Sequence, residues 1–291
     1  MIERRGHVLT SEFWVSVDGE DAARVLDALP FHAVQDVTAT RRHRLEVVRE
    51  EQGYSIREDG QTREHLFDAE SLGSSVQDRI QALALAGMAS HAKLHAGCAT
   101  QRGRGVLFVG PGRSGKTTLM TRLLYEGFAV QGDDTVVLRD GCAMAVPRRF
   151  RVRRGTLALV PQLSSRAPAW ALEGPPNGYH VVAVDPVDLG FTWRIGPVPV
   201  EVVFFLVPGH GSPSRAIPYP RYRMASLIMS ESVPPAEGAR AWIREIAMLV
   251  GRAQCYVLEL GELDSAVTVV NAALAGPGPG PQPSCAATGE G

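Results

Sequence analysis

The chain has 291 residues, 45% of them hydrophobic and 21% charged, with a formal net charge of −1. That length suits one large domain or two smaller ones around a buried core, and the balanced charge argues against a nucleic-acid partner. No apolar run reaches the roughly 18 residues of a membrane span, and the N-terminus lacks an apolar signal core, so neither membrane nor export is expected. Four well-separated cysteines, Cys98, Cys142, Cys255 and Cys285, form no C-x-x-C pair. They read as free thiols in a reducing cytoplasm rather than as a zinc site.

Residues 1–72 read as a small α+β region. FWVSV (13–17), LEVV (45–48) and GYSI (53–56) are β-branched and aromatic runs between polar turns, with a helix at 21–29. Residues 73–276 read as the main domain. Its first element is a helix over 73–94, capped by Ser74 or Ser75, followed by a short strand at 95–100. GVLFV (105–109) is continuously apolar, as in a strand buried on both faces. A helix follows at 118–127, then a strand from Phe128 that ends in QGDD, and a hairpin with Asp-Gly at its turn. Residues 147–195 are rich in Pro, Gly and Arg and show no periodicity. Strands at 201–207 and 254–260 and helices at 239–251 and 263–276, the last capped by Asp264, complete the pattern. The tail 277–291 has the composition of a disordered segment.

GPGRSGKTT (110–118) fits the phosphate-loop pattern G-x-x-x-x-G-K-[ST] between a buried strand and a helix. Gly110, Pro111, Gly112, Arg113, Ser114, Gly115, Lys116, Thr117 and Thr118 would cradle a nucleotide. Backbone N–H groups and the helix N-terminus would face the phosphates, Lys116 would reach the β- and γ-phosphates, and the Thr117 hydroxyl would ligate Mg²⁺. Asp133 and Asp134 end the strand after the loop's helix. That strand is expected beside the first and parallel to it, which brings both carboxylates to the loop's edge of the sheet. One acid can hold Mg²⁺ or its water, and the other can take a proton from an incoming hydroxyl. His95 opens the strand before the loop. The arginines of PRRFRVRRG (147–155) are a solvated face or a phosphate clamp, and Arg221 and Arg223 are weaker candidates for a clamp. Protein-kinase motifs, G-x-S-x-G, H-E-x-x-H and the N-K-x-D of Ras-type GTPases are absent from the sequence.

The segment LHAGCATQRGRGVLFVGPGRSGKTTLMTRLLYEGFAVQGDDTVVL (94–138) resembles the HPr kinase/phosphorylase family in its histidine-led strand, phosphate loop and strand ending in Asp-Asp. The resemblance implies an α/β P-loop core, a mixed sheet flanked by helices and related to PEP carboxykinase. It implies an ATP- and Mg²⁺-dependent serine kinase acting on a hydroxyl of a peptide, protein or small molecule. Asp133 would be the base, Asp134 would assist it or the metal together with Thr117, Lys116 would handle phosphate, and His95 would lie close by. The resemblance also points toward a homo-oligomer. Position 112 is glycine where the family often has serine, and RRGTLALVP (153–161) has no acid where the family carries a metal-binding glutamate. Divergent members of this kind accompany biosynthetic clusters for ribosomal peptides, where they resemble kinases of a precursor serine. The alternative reading is a nucleotide-binding regulatory or accessory ATPase or GTPase that transfers no phosphate.

Overall fold

The computed structural model describes residues 1–19, 22–27, 29–66, 71–166, 181–234, 238–276 and 285. Two compact units divide the chain, one over Met1–Ala89 and the other over Ser90–Ala286. The reading from sequence put this boundary at 72/73, ahead of a helix that the contacts group with the first unit.

The first unit contains β1 (Ile2–Val8), β2 (Ser11–Val17), α1 (Ala22–Asp27), β3 (Val34–Gln35), β4 (Arg41–Glu50), β5 (Gly53–Glu58), β6 (Gln61–Leu66) and α2 (Leu72–Ala86). Its sheet runs β1-β2-β4-β5-β6, parallel only between β2 and β4. Alternation places Phe13, Val15 and Val17 of β2 with Leu45 and Val47 of β4 on a buried face. The buried stripe of α2, Val76 and Ile80, belongs to the same core, and α2 packs on β1 and β2. The helix expected over 73–94 ends eight residues early, at Ala86. Gly87 is a poor helix residue, and beyond it Ala92, Leu94 and Ala96 are buried while Lys93 and His95 between them are not, as in a strand. The helix also starts earlier, behind Ser71, with the Ser74 hydroxyl donating to the Ser71 carbonyl at 2.7 Å.

The second unit begins with β7 (Ala92–Gln101), β8 (Arg104–Val109), α3 (Lys116–Tyr125), β9 (Ala129–Gly132), β10 (Thr135–Arg139) and β11 (Cys142–Ala145). Next come β12 (Phe150–Arg153), α4 (Arg154–Leu159), a 3₁₀ turn at Pro161–Arg166, β13 (Val181–Val184) and β14 (Arg194–Ile195). It closes with β15 (Val198–Pro213), β16 (Arg215–Pro218), α5 (Arg221–Ser230), β17 (Ser232–Val233), α6 (Ala239–Arg252), β18 (Gln254–Glu262) and α7 (Leu263–Ala275). The central sheet runs β11-β10-β7-β8-β15-β18-β16, with β9 and β17 also paired to β7. Strands β8, β15 and β18 are mutually parallel, and β7 is antiparallel to β8.

Both faces of this sheet are covered, which explains the unbroken apolar runs of β8 and β15. On one face Phe108 and Phe204, stacked with ring centroids 5.6 Å apart, meet Leu119 and Leu123 of α3 and Val270 of α7. On the other, Leu107 and Val203 meet Met224 and Ile228 of α5 and Ile246 and Leu249 of α6. The architecture is mixed α/β. At the β10–β11 turn, Asp140 and Gly141 have φ of 52° and 79°, the left-handed pair that an Asp-Gly hairpin requires.

Four expectations need correcting. The strand after the phosphate-loop helix, β9, lies beside β7 and not beside β8. Because β7 is antiparallel to both, β9 still points the same way as β8. Helix α5 lies in a stretch to which the sequence reading assigned no element, and Glu262 rather than Asp264 holds the N-cap position of α7. Cys142 and Cys285 form a disulfide, so only Cys98 and Cys255 are free. That pair removes the thiol argument for a reducing compartment. Apart from Cys285, the tail expected to be disordered lies outside the described residues. Among the described residues no helix is long and apolar enough to cross a membrane.

Candidate functional site

The site forms where β7 changes partners. Residues Ala92–His95 of β7 pair with β10 on one side, and Lys93 and Leu94 pair with β17 on the other. From Ala96 onward β7 pairs with β8, and from Cys98 with β9. His95 sits at the changeover, so the sheet splits on both sides of it. One gap receives Asp133 and Asp134, which link β9 to β10. Across β7, the phosphate loop follows the end of β8, where Val109 faces Ala96. An opening of this kind at strand ends is where open α/β sheets place ligands. Backbone bonds fix the edges: the Ala96 N–H donates to the Asp134 carbonyl at 3.1 Å, and the His95 N–H donates to the Glu231 carbonyl at 2.8 Å.

The loop runs from Val109 into α3. Gly115 stands at the N-cap position with φ of 94°, and a Cβ there would lie 2.6 Å from Leu260 Cδ2. Only glycine combines that backbone with that clearance. Lys116 is buried, and its Nζ donates to the carbonyls of Gly110 and Pro111. Thr118 Oγ1 lies 2.7 Å from Thr156 Oγ1 of α4, so the acid-free stretch 153–161 touches the loop through a hydroxyl.

Asp133 is buried. Desolvation pushes its carboxyl up to about 7, although a hydrogen bond from the Thr117 hydroxyl and the charges of Arg148 and Lys116 pull it down. Asp134 behaves oppositely. Burial raises it, but Arg148, whose Nη1 donates to Oδ2 at 2.7 Å, and the Thr135 hydroxyl hold it below the usual carboxylate range. Two adjacent acids thus differ in proton affinity, as acid–base chemistry requires. His95 Nε2 is 4.0 Å from Asp134 Oδ1, and its Nδ1 is 3.8 Å from Glu231 Oε2. Burial and the Lys116 charge lower the His95 pKa, against the opposing pull of Asp134 and Glu231.

Lys116, Asp133, Asp134, His95 and the loop are therefore brought together. Of the arginine run, Arg148 joins the site, whereas Arg149 pairs with Asp188 at 2.9 Å. Arg151 and Arg153 are exposed, as are Arg221 and Arg223 on α5. Sequence reasoning missed Glu231 and Thr156. Glu231 acts on Lys116 electrostatically ahead of either aspartate, yet it lies far along the chain behind an unrecognised helix.

Among solved structures, the chain is similar to the Hpr(Ser) kinase/phosphatase from Coxiella burnetii. Identity is 15% and the TM-score 0.31, over 62% of this chain and 94% of that one. This likeness is distant and too weak to carry an activity across. No family model matches the chain. No curated protein matches it.

The residues present fit a nucleotide and a divalent cation. The Ser114 hydroxyl is buried within the loop without a hydrogen-bond partner. Asp133, Asp134 and Glu231 all act on Lys116, Arg148 acts on both aspartates, and the His95 ring acts on Asp134. Ionising Asp133 would give three carboxylates against two cations, an excess that a bound cation offsets.

Proposed function

We propose that the protein is an ATP-dependent kinase that transfers phosphate to a hydroxyl, with a serine of a peptide or protein as the acceptor class. The carrying observation is Asp133, a buried carboxyl raised to about 7 and hydrogen-bonded by Thr117 at the end of the phosphate loop. ATP with Mg²⁺ would supply the phosphoryl donor, held by the loop with Thr117 and Asp134 as the protein's metal contacts. Asp133, once ionised, accepts the proton of the incoming hydroxyl. Lys116 exchanges its carbonyl partners for phosphate oxygens and balances charge gathering on them. Arg148 keeps Asp134 ionised and oriented through its 2.7 Å hydrogen bond. The buried surroundings of Asp133 exclude competing water.

The test is phosphotransfer from labelled ATP to a panel of serine-containing peptides, including any encoded beside this chain. Asp133→Asn is expected to bind nucleotide with unchanged affinity and to lose transfer by about 100-fold or more. Undiminished transfer in that variant rules Asp133 out as the base. A second reading, a nucleotide-dependent accessory protein, draws on the Thr118–Thr156 hydrogen bond, which links the loop to α4 as a switch would. Tight nucleotide binding with no labelled acceptor across the panel favours that reading.

A further inference from the structure

Glu231 has no role in the reading above, yet its position is held closely. Its backbone N–H bonds the Ile228 carbonyl at 3.1 Å at the end of α5, and its carbonyl takes the His95 N–H. The next residue, Ser232, pairs with Leu94. The Ser232 hydroxyl receives the Trp242 indole N–H at 3.1 Å and donates to the Met229 carbonyl at 2.9 Å. Three elements therefore hold the turn that presents Glu231 to the His95 ring.

A neutral imidazole has one N–H donor and one lone pair, and its neighbours decide which nitrogen carries the proton. On the Nε2 side stands Asp134, already engaged by Arg148 and Thr135. On the Nδ1 side stands the Glu231 carboxylate, 3.8 Å away, a separation of the kind that tightens when a site is occupied.

We propose that Glu231 is a positioning residue for His95: its carboxylate accepts a hydrogen bond from Nδ1–H, which keeps the proton on Nδ1 and leaves Nε2 as a lone-pair acceptor on the Asp134 side. Within the phosphotransfer reading, on which this functional role rests, that lone pair receives a hydrogen bond from a backbone N–H of the acceptor peptide and aims its serine toward the phosphate loop, leaving the hydroxyl proton for Asp133. The logic is that of a carboxylate that orients a histidine by binding its far nitrogen.

The experiment uses the full chain labelled with ¹⁵N-histidine, with His95→Gln to assign the His95 signals. Two-bond proton–nitrogen spectra distinguish the tautomers. The wild type is expected in the Nδ1–H form and Glu231→Ala in the Nε2–H form. Glu231→Gln, which keeps an acceptor oxygen, is expected to restore the Nδ1–H form. Alongside, kcat for phosphotransfer should fall about 10- to 100-fold in Glu231→Ala with nucleotide affinity unchanged, and recover in part in Glu231→Gln. A wild-type ring in the Nε2–H form overturns the proposal, even if the alanine variant does not fold. So does a spectrum that Glu231→Ala leaves unchanged. A tautomer change in a protein that phosphorylates nothing overturns the kinase reading and leaves the role of Glu231 standing.

Discussion

Asp133, the base in the proposed reaction, also carries a stability cost. Its folded pKa of about 7 stands above the ordinary 3.8, so between those values the native state keeps a proton that the unfolded chain has released. Stability therefore falls as pH rises through that window and is lowest above it. Three pKa units correspond to about 4 kcal/mol. Asp133→Asn cannot ionise and is expected to be more stable than the wild type at pH 8, with the gain fading toward pH 4. Denaturant melts of both proteins with a chelator present measure this, and equal differences at both pH values would remove the argument. The low pKa of Asp134 works in the opposite direction but is common to both proteins. At this scale local spacing was informative: Lys116, Thr117, Asp133 and Asp134 all lie within one strand–loop–helix–strand unit. Glu231 and Thr156 were not legible, because their places depend on the pairing of β17 with β7 and on a contact between α3 and α4.

Among the elements, the phosphate loop separates glycines needed for shape from those that are not. A Cβ at Gly112 meets nothing within 4 Å, whereas at Gly115 it meets Leu260 on a left-handed backbone. Gly112→Ala is expected to leave the melting temperature unchanged, and Gly115→Ala to cost about 1–2 kcal/mol and to weaken nucleotide binding about tenfold or more. Thermal melts and titration with a fluorescent ATP analogue check both. Strands with an unambiguous apolar run or period, β8, β15 and β18, were legible along the chain. The end of α2 was not, because the apolar residues after Gly87 fit a helical period and an alternating one about equally well. Helix α5 escaped because its sequence, RYRMASLIMS, follows Pro220 with two exposed arginines and no side-chain cap.

Across the whole molecule, the disulfide joins residues 143 positions apart and ties the tail to β11. Closing a loop of that length removes unfolded-state freedom worth about 4–5 kcal/mol in the chain-entropy account. A reductant is expected to lower the melting temperature by on the order of 10 °C. Cys285→Ser should show the lower value with or without reductant, and a wild type indifferent to reductant would exclude the bond in solution. Sequence alone could not pair these cysteines, since contact depends on how the tail returns. The split of β7 bears on how such a site diversifies. The half of β7 that ends at His95 is hydrogen-bonded through β10 and β17, and the half after it through β8 and β9. Descendants could exchange the strands and helices around the acids and Glu231 while the pairs that carry the phosphate loop stay intact. In the kinase reading, acceptor choice and donor binding would rest on separate sets of hydrogen bonds, so one could drift while the other held.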